Sequence, residues 1–157
     1  MQVLSLSSLQ MKPAEQENEG VSSVPVSLFQ SGQFLSITED SPGGLILLKD
    51  FYADFAGSGA AVGGTFDIQC QFVYVAGVVR FNVPETYEER QTAFKNRINY
   101  IKKLEQIALE PSSPHRSRLM KLQLAEWVGI EEAKKIPTEL IAKLAGLHPV
   151  QKRWRSQ

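Results

Sequence analysis

The chain has 157 residues, 43% hydrophobic and 22% charged, with 17 basic against 17 acidic side chains. That is the composition of one globular domain, or of two small units sharing a core, and it excludes a disordered or fibrous chain. No apolar run approaches the roughly 20 residues of a membrane-spanning helix, and a single cysteine, Cys70, excludes an internal disulfide.

The opening segment, Met1 to Leu9, lacks the positive start of a secretory signal, and serines interrupt its apolar residues. A cytoplasmic protein without a membrane segment is therefore expected. The zero net charge hides an asymmetry. Residues 1–85 carry three Lys/Arg against nine Asp/Glu, whereas residues 112–157 carry nine against four. A basic end of this kind points to a polyanionic partner, or it attracts the acidic half of its own chain.

Residues 1–20 are expected to form a flexible arm, since the stretch from Gln10 is polar and aperiodic. An antiparallel β domain follows over 21–83. Pro25 to Thr38 reads as a hairpin turning at Ser31-Gly32. Glu39 to Gly44 is a second turn, and Leu45 to Leu48 a short apolar strand. Lys49 to Ala56 is ambiguous: Phe51, Ala53 and Phe55 alternate as in a strand, while Asp50 and Asp54 also fit one helical turn. Either way the two aspartates read as a solvated face. Ala56 to Gly64 reads as a flexible loop of small residues able to order on contact. Thr65 to Val75 carries the clearest strand signal, with Phe66, Ile68, Cys70, Phe72 and Tyr74 on a buried face and Asp67, Gln69 and Gln71 on a wet one. Ala76-Gly77 then reverses the chain into Val78 to Val83. Five or six strands, rolled or barrel-like, are expected.

Residues 84–110 predict one long amphipathic helix. Pro84 suits a first helical position, and Thr86-x-x-Glu89 offers a capping box if the start slips by two. Tyr87, Phe94, Ile101 and Ala108 recur every seven residues beside Ile98 and Leu104, a stripe for packing on the sheet or, alternatively, on a second copy. Arg90 and Arg97 fall near that stripe. Their heads are expected to snorkel to its edge; the alternative is pairing with carboxylates of a partner or of the acidic sheet.

Residues 111–157 predict a basic cluster of short helices. Ser113 and Pro114 open the first, over 115–128, and Gly129 ends it. Glu131 to Ile136 adds a turn or two, and Thr138 caps a helix to Ala145, ended by Gly146. The fold class is thus α+β. Leu124 to Ile130 and Ile141 to Leu147 nearly repeat one another seventeen residues apart. Each reads as a helix end, a glycine at a left-handed stop, and an apolar residue folding back.

The same repeats place Ala125/Gly129 and Ala142/Gly146 four apart, a spacing that loosely resembles helix-turn-helix readers of DNA. In that resemblance Lys152, Arg153 and Arg155 would contact phosphate and Gln151 a base edge, with Lys143 and His148 beside them. Pro137 and the few residues after Gly146 leave little length for a recognition helix. Trp154, among Arg and Lys, has the composition of an interface anchor.

No catalytic set or cofactor signature is present. Gly57-x-Gly59-x-x-x-Gly63 has Val62 where the dinucleotide fingerprint needs its third glycine, and no Gly-Lys-Ser/Thr follows. His115, His148 and Cys70 lack zinc-site spacing, and Cys70 reads as an inert core thiol. The expectation is a non-catalytic interaction protein, a subunit or adaptor of a larger assembly with protein partners, docking through its C-terminal cluster. A nucleic-acid-binding regulator using the same region is the alternative.

Overall fold

The computed structural model describes residues 2–4 and 24–146, and within them seven short strands form two antiparallel sheets. In chain order the elements are β1 (Gln2–Leu4), α1 (Ser27–Gln30), β2 (Phe34–Ile37), β3 (Gly44–Leu48), β4 (Ala53–Ala56), β5 (Ala61–Gly63), β6 (Phe72–Ala76), β7 (Phe81–Val83), α2 (Tyr87–Ala108), α3 (Ser113–Val128), α4 (Ile130–Lys134) and α5 (Thr138–Leu144). The fold is α+β. One sheet has the order β1-β7-β2-β5 and the other β4-β3-β6. Both are open, so no rolled or barrel-like closure forms. Closure needs hydrogen bonding all the way round, and here the edge strands β4 and β5 are both contacted by α2 instead. Gln2–Leu4 pair with β7, while residues 5–20 of the expected arm lie outside the described residues.

The run Gly-Leu-Ile-Leu-Leu makes β3 the centre of the molecule, because an unbroken apolar strand can be buried on both faces. Leu45 and Leu47 enter a core with Leu35, Ile37, Val62, Phe81, Val73 and Val75, so this core lies between the two sheets. Ile46 points the other way, into a second core with Phe55 and Ala76 of the same sheet. Leu104 and Ile107 of α2, and Met120, Leu124, Leu140 and Leu144 of the C-terminal helices, complete that second core. The layers are therefore sheet, sheet, helices. Close approach at β3 depends on glycine: a Cβ on Gly43 would lie 2.1 Å from the Ala76 carbonyl oxygen.

Three strand expectations differ. The first arm of the predicted hairpin is a helical turn, α1, in which Leu28 and Phe29 bond back to Pro25 and Val26 and Phe29 is buried against Phe81. Four residues are too few for period two to decide between strand and turn. The long strand over Thr65 to Val75 is shortened to β6. Gly64–Phe66 is a 3-10 turn, and Cys70 bonds back to the Asp67 carbonyl. In β6 the buried residues are Val73, Val75 and Ala76, and Phe72 is exposed. The small-residue stretch is no flexible loop: Ala60 to Gly64 are all buried, and three of them are β5.

The helices follow their end signals closely. α2 starts after Thr86, whose hydroxyl accepts from the Glu89 N–H while the Glu89 carboxylate accepts from the Thr86 N–H. Its packed face, however, runs through Ala93, Arg97, Leu104 and Ile107, leaving Tyr87 and Ala108 exposed. The helix packs on the sheets, turned so that Arg97 faces inward. α3 is capped by Ser112, one residue earlier than expected, and α5 begins after Pro137 without a side-chain cap. Gly129 and Gly146 have φ of +94° and +78°, as helix-ending glycines require. Ile130 does not fold back: α4 starts at once, and Ile130 is 63% exposed.

Candidate functional site

Four charged side chains meet where the two sheets and α2 join. Lys49 follows β3, Asp54 lies on β4, Asp67 follows the 3-10 turn and Arg97 is at the middle of α2. Arg97 is 1% exposed and Asp67 0%. Both terminal nitrogens of Arg97 donate to Asp67, each at 3.0 Å. Nη2 also reaches Asp54 Oδ2 at 3.3 Å, and Nη1 donates to the Ala61 carbonyl of β5 at 3.1 Å. Lys49 Nζ stands 3.2 Å from Asp67 and 3.5 Å from Asp54, and donates to the Phe66 carbonyl at 2.8 Å. Asp67 further accepts from the Gly63 N–H at 2.7 Å.

Two cations and two carboxylates thus sit out of water, with their charges summing to zero. Burial pushes the Asp67 carboxyl up, but hydrogen bonds from Arg97 and the charges of Arg97 and Lys49 outweigh it and hold it below the usual carboxylate range. Burial pulls Arg97 down, and its bonds to Asp67 and charge attraction to both aspartates outweigh that as well. Each charged group is paired with another, while Arg97 Nε is buried without a hydrogen-bond partner. The quartet fastens α2 across β4 and β5. Its chemistry is positional.

Among the residues singled out from the sequence, Arg97 is therefore no snorkelling side chain. It takes the alternative, the carboxylates of the acidic sheet. The reading of Asp54 and Asp67 as solvated is likewise overturned, because Arg97 of α2 and Lys49 pair with both carboxylates. Arg90 is exposed and donates to the Glu85 carbonyl at 3.1 Å. Lys143 is half-buried on α5 and lines a cleft of about 390 Å³ with Tyr52, Glu105 and Asp54. His148, Gln151, Lys152, Arg153, Trp154 and Arg155 lie outside the described residues. Among the described residues, neither Arg90 nor Lys143 is hydrogen-bonded to Arg97.

Sequence reasoning missed Lys49, Asp54 and Asp67 as Arg97's partners. One signal was present: Arg97 lies four residues after Ala93 and seven before Leu104, on the same helical face. Among the described residues, no three His, Cys, Asp or Glu are grouped so as to hold a metal ion, and no helix is long and apolar enough to cross a membrane. Cys70 is buried in a turn, and burial raises its thiol.

The C-terminal helices present a different surface. α3 turns Met120, Leu124 and Val128 toward the second core, and Trp127 stacks on Phe55 of β4 at 4.5 Å. The Tyr74 hydroxyl of β6 donates to the Lys135 carbonyl, tying the end of α4 to the sheet. Between them, α3, α4 and α5 enclose a cleft of about 310 Å³. Ala125, Ile130, Ala133, Ile136 and Ile141 line it, with Lys121 and Lys134 and no carboxylate. Comparison of the chain with protein-family models, with curated protein sequences and with solved structures returned no match.

Proposed function

We propose that the protein is a non-catalytic interaction module, a subunit or adaptor that docks an acidic amphipathic segment of a partner protein on its C-terminal helices. The observation that carries this reading is the cleft between α3, α4 and α5. Ile130, 63% exposed, and other apolar side chains line it, and among the described residues its charged lining residues are Lys121 and Lys134. An amphipathic helix laying apolar side chains on such a lining, with Asp or Glu toward the two lysines, satisfies both features. The buried quartet supports a non-catalytic role, since its titratable groups neutralise one another.

The test compares tagged wild-type protein with an Ile130→Asp variant, each purified gently from its own cells with and without nuclease. Ile130 is exposed, so the variant keeps its fold, which circular dichroism verifies. A protein partner at fixed stoichiometry, resistant to nuclease and lost from the variant, is expected. A captured set that is nuclease-sensitive, or identical for both proteins, overturns the reading; the first of these favours nucleic acid instead.

A further inference from the structure

We propose that a second copy of this chain pairs with the outer edge of β6, antiparallel and about a two-fold axis, joining two β4-β3-β6 sheets into one. β6 is an edge strand, and it differs from the other edges. α2 contacts β4 and β5, and β1 is only three residues long. β6 has five residues, Phe-Val-Tyr-Val-Ala, and among the described residues β3 is the one strand it pairs with. Native sheets blunt a free edge with charged side chains or proline. β6 carries neither.

The alternation of the ladder identifies the groups left over. The Lys49 N–H donates to the Tyr52 carbonyl at 2.9 Å, so the backbone groups of Lys49, and hence of Leu47 and Leu45, point toward β4. Those of Gly44, Ile46 and Leu48 then point toward β6, where they meet Ala76, Tyr74 and Phe72. Val73 and Val75 are left with their N–H and C=O groups on the outer edge. Neither backbone has a bond there to any described residue.

Donors and acceptors repeated two residues apart on one strand are self-complementary. With Tyr74 opposite Tyr74 of the second copy, Val73 of each chain faces Val75 of the other, and every outward group of both strands is bonded. The side chains agree with this register. Val73 and Val75 belong to the core between the sheets, so pairing them carries an apolar layer across the axis. On the opposite face Phe72, 49% exposed, comes opposite Ala76 of the second copy and toward its Val78, which is 38% exposed. A second copy is the occupant because one strand supplies both halves of each fit, donor to acceptor and large side chain to small.

The experiment is sedimentation velocity on the full chain over a micromolar-to-millimolar series, with amide hydrogen exchange followed by NMR at both ends of it. A concentration-dependent dimer is expected. Exchange at Val73 and Val75 should slow about tenfold or more at the high end, and stay unchanged at Leu45 and Leu47, which bond within one chain. Phe72→Lys, at an exposed position where circular dichroism verifies the fold, should weaken dimerisation about tenfold. Under mild oxidation Tyr74→Cys should give a disulfide-linked dimer, since directly opposed residues of a non-hydrogen-bonded pair come close enough. Leu122→Cys, equally accessible on α3 at 62% exposure, should not. A chain that stays monomeric throughout the series overturns the proposal. So does a dimer whose Val73 and Val75 amides exchange as fast as in dilute protein, or protection of those amides at every concentration, or equal crosslinking of the two cysteine variants.

Discussion

Asp67 shows how one side chain can govern a fold without touching a ligand. It receives two bonds from Arg97, one from the Gly63 N–H and the charge of Lys49, at zero exposure. Replacing it by asparagine leaves two buried cations facing Asp54 alone. Breaking a buried pair in this way costs about 3–5 kcal/mol. Because the folded Asp67 pKa lies below the unfolded value of about 3.9, its stabilisation is complete well above that value and is lost as pH falls through the folded pKa. Urea unfolding of wild type and Asp67→Asn should therefore differ by about 3–5 kcal/mol at neutral pH, with the gap closing in acid as the wild type protonates. A neutral-pH difference under about 1 kcal/mol, the scale of an exposed pair, would refute this account. A single sequence does not display the quartet, because alternation places Asp67 with Gln69 and Gln71 and says nothing about what covers them. Period two reports which residues share a face. It cannot report a helix arriving from thirty positions later, as Arg97 does.

At the scale of elements, helices were legible and strands less so, for a reason of local chemistry. Helix ends are specified by side chains within the same few residues. Thr86 and Glu89 form their box three positions apart, and Gly129 and Gly146 stop their helices with positive φ. Strands of three to five residues carry little periodic information of their own and depend on partners distant in sequence. Hence Val26 to Phe29 became a helical turn and half of the Thr65 to Val75 run became a bend, while the doubly buried β3 was plain. Such local control gives a clean expectation for α2. Thr86→Ala removes the hydroxyl that accepts from the Glu89 N–H and should lower stability by about 1 kcal/mol. Hydrogen exchange should quicken in residues 87–90 and stay unchanged at Arg97, near the centre of the helix. Uniform acceleration along α2 would mean that the cap governs docking of the whole helix, contrary to the quartet's role.

For the whole molecule, the sequence divides naturally into a sheet region, a long helix and a basic helical cluster, yet these regions share cores. The β4-β3-β6 sheet is lined on one side by the sheet that faces it and on the other by α2 through α5. Ile46, Ala53, Phe55 and Ala76 are covered by Leu104, Ile107 and Tyr100 of α2 and by the C-terminal helices. The cleft proposed for docking lies between those same helices, and Ile136 and Ile141 belong both to its lining and to the second core. A chain ending at Glu110 would keep α2 but expose the part of that face under α3 and α5, including the Phe55 ring that Trp127 covers. At about 25 cal/mol per Å² of apolar surface, losing those contacts weighs heavily against the margin of about 5–15 kcal/mol by which domains of this size are stable. Truncation after Glu110 is therefore expected to abolish the cooperative calorimetric transition of the full chain and to promote aggregation. A truncated chain that melts in one sharp transition would show instead that the two sheets fold alone, and that the C-terminal helices are an appended unit whose inner face is open to partners.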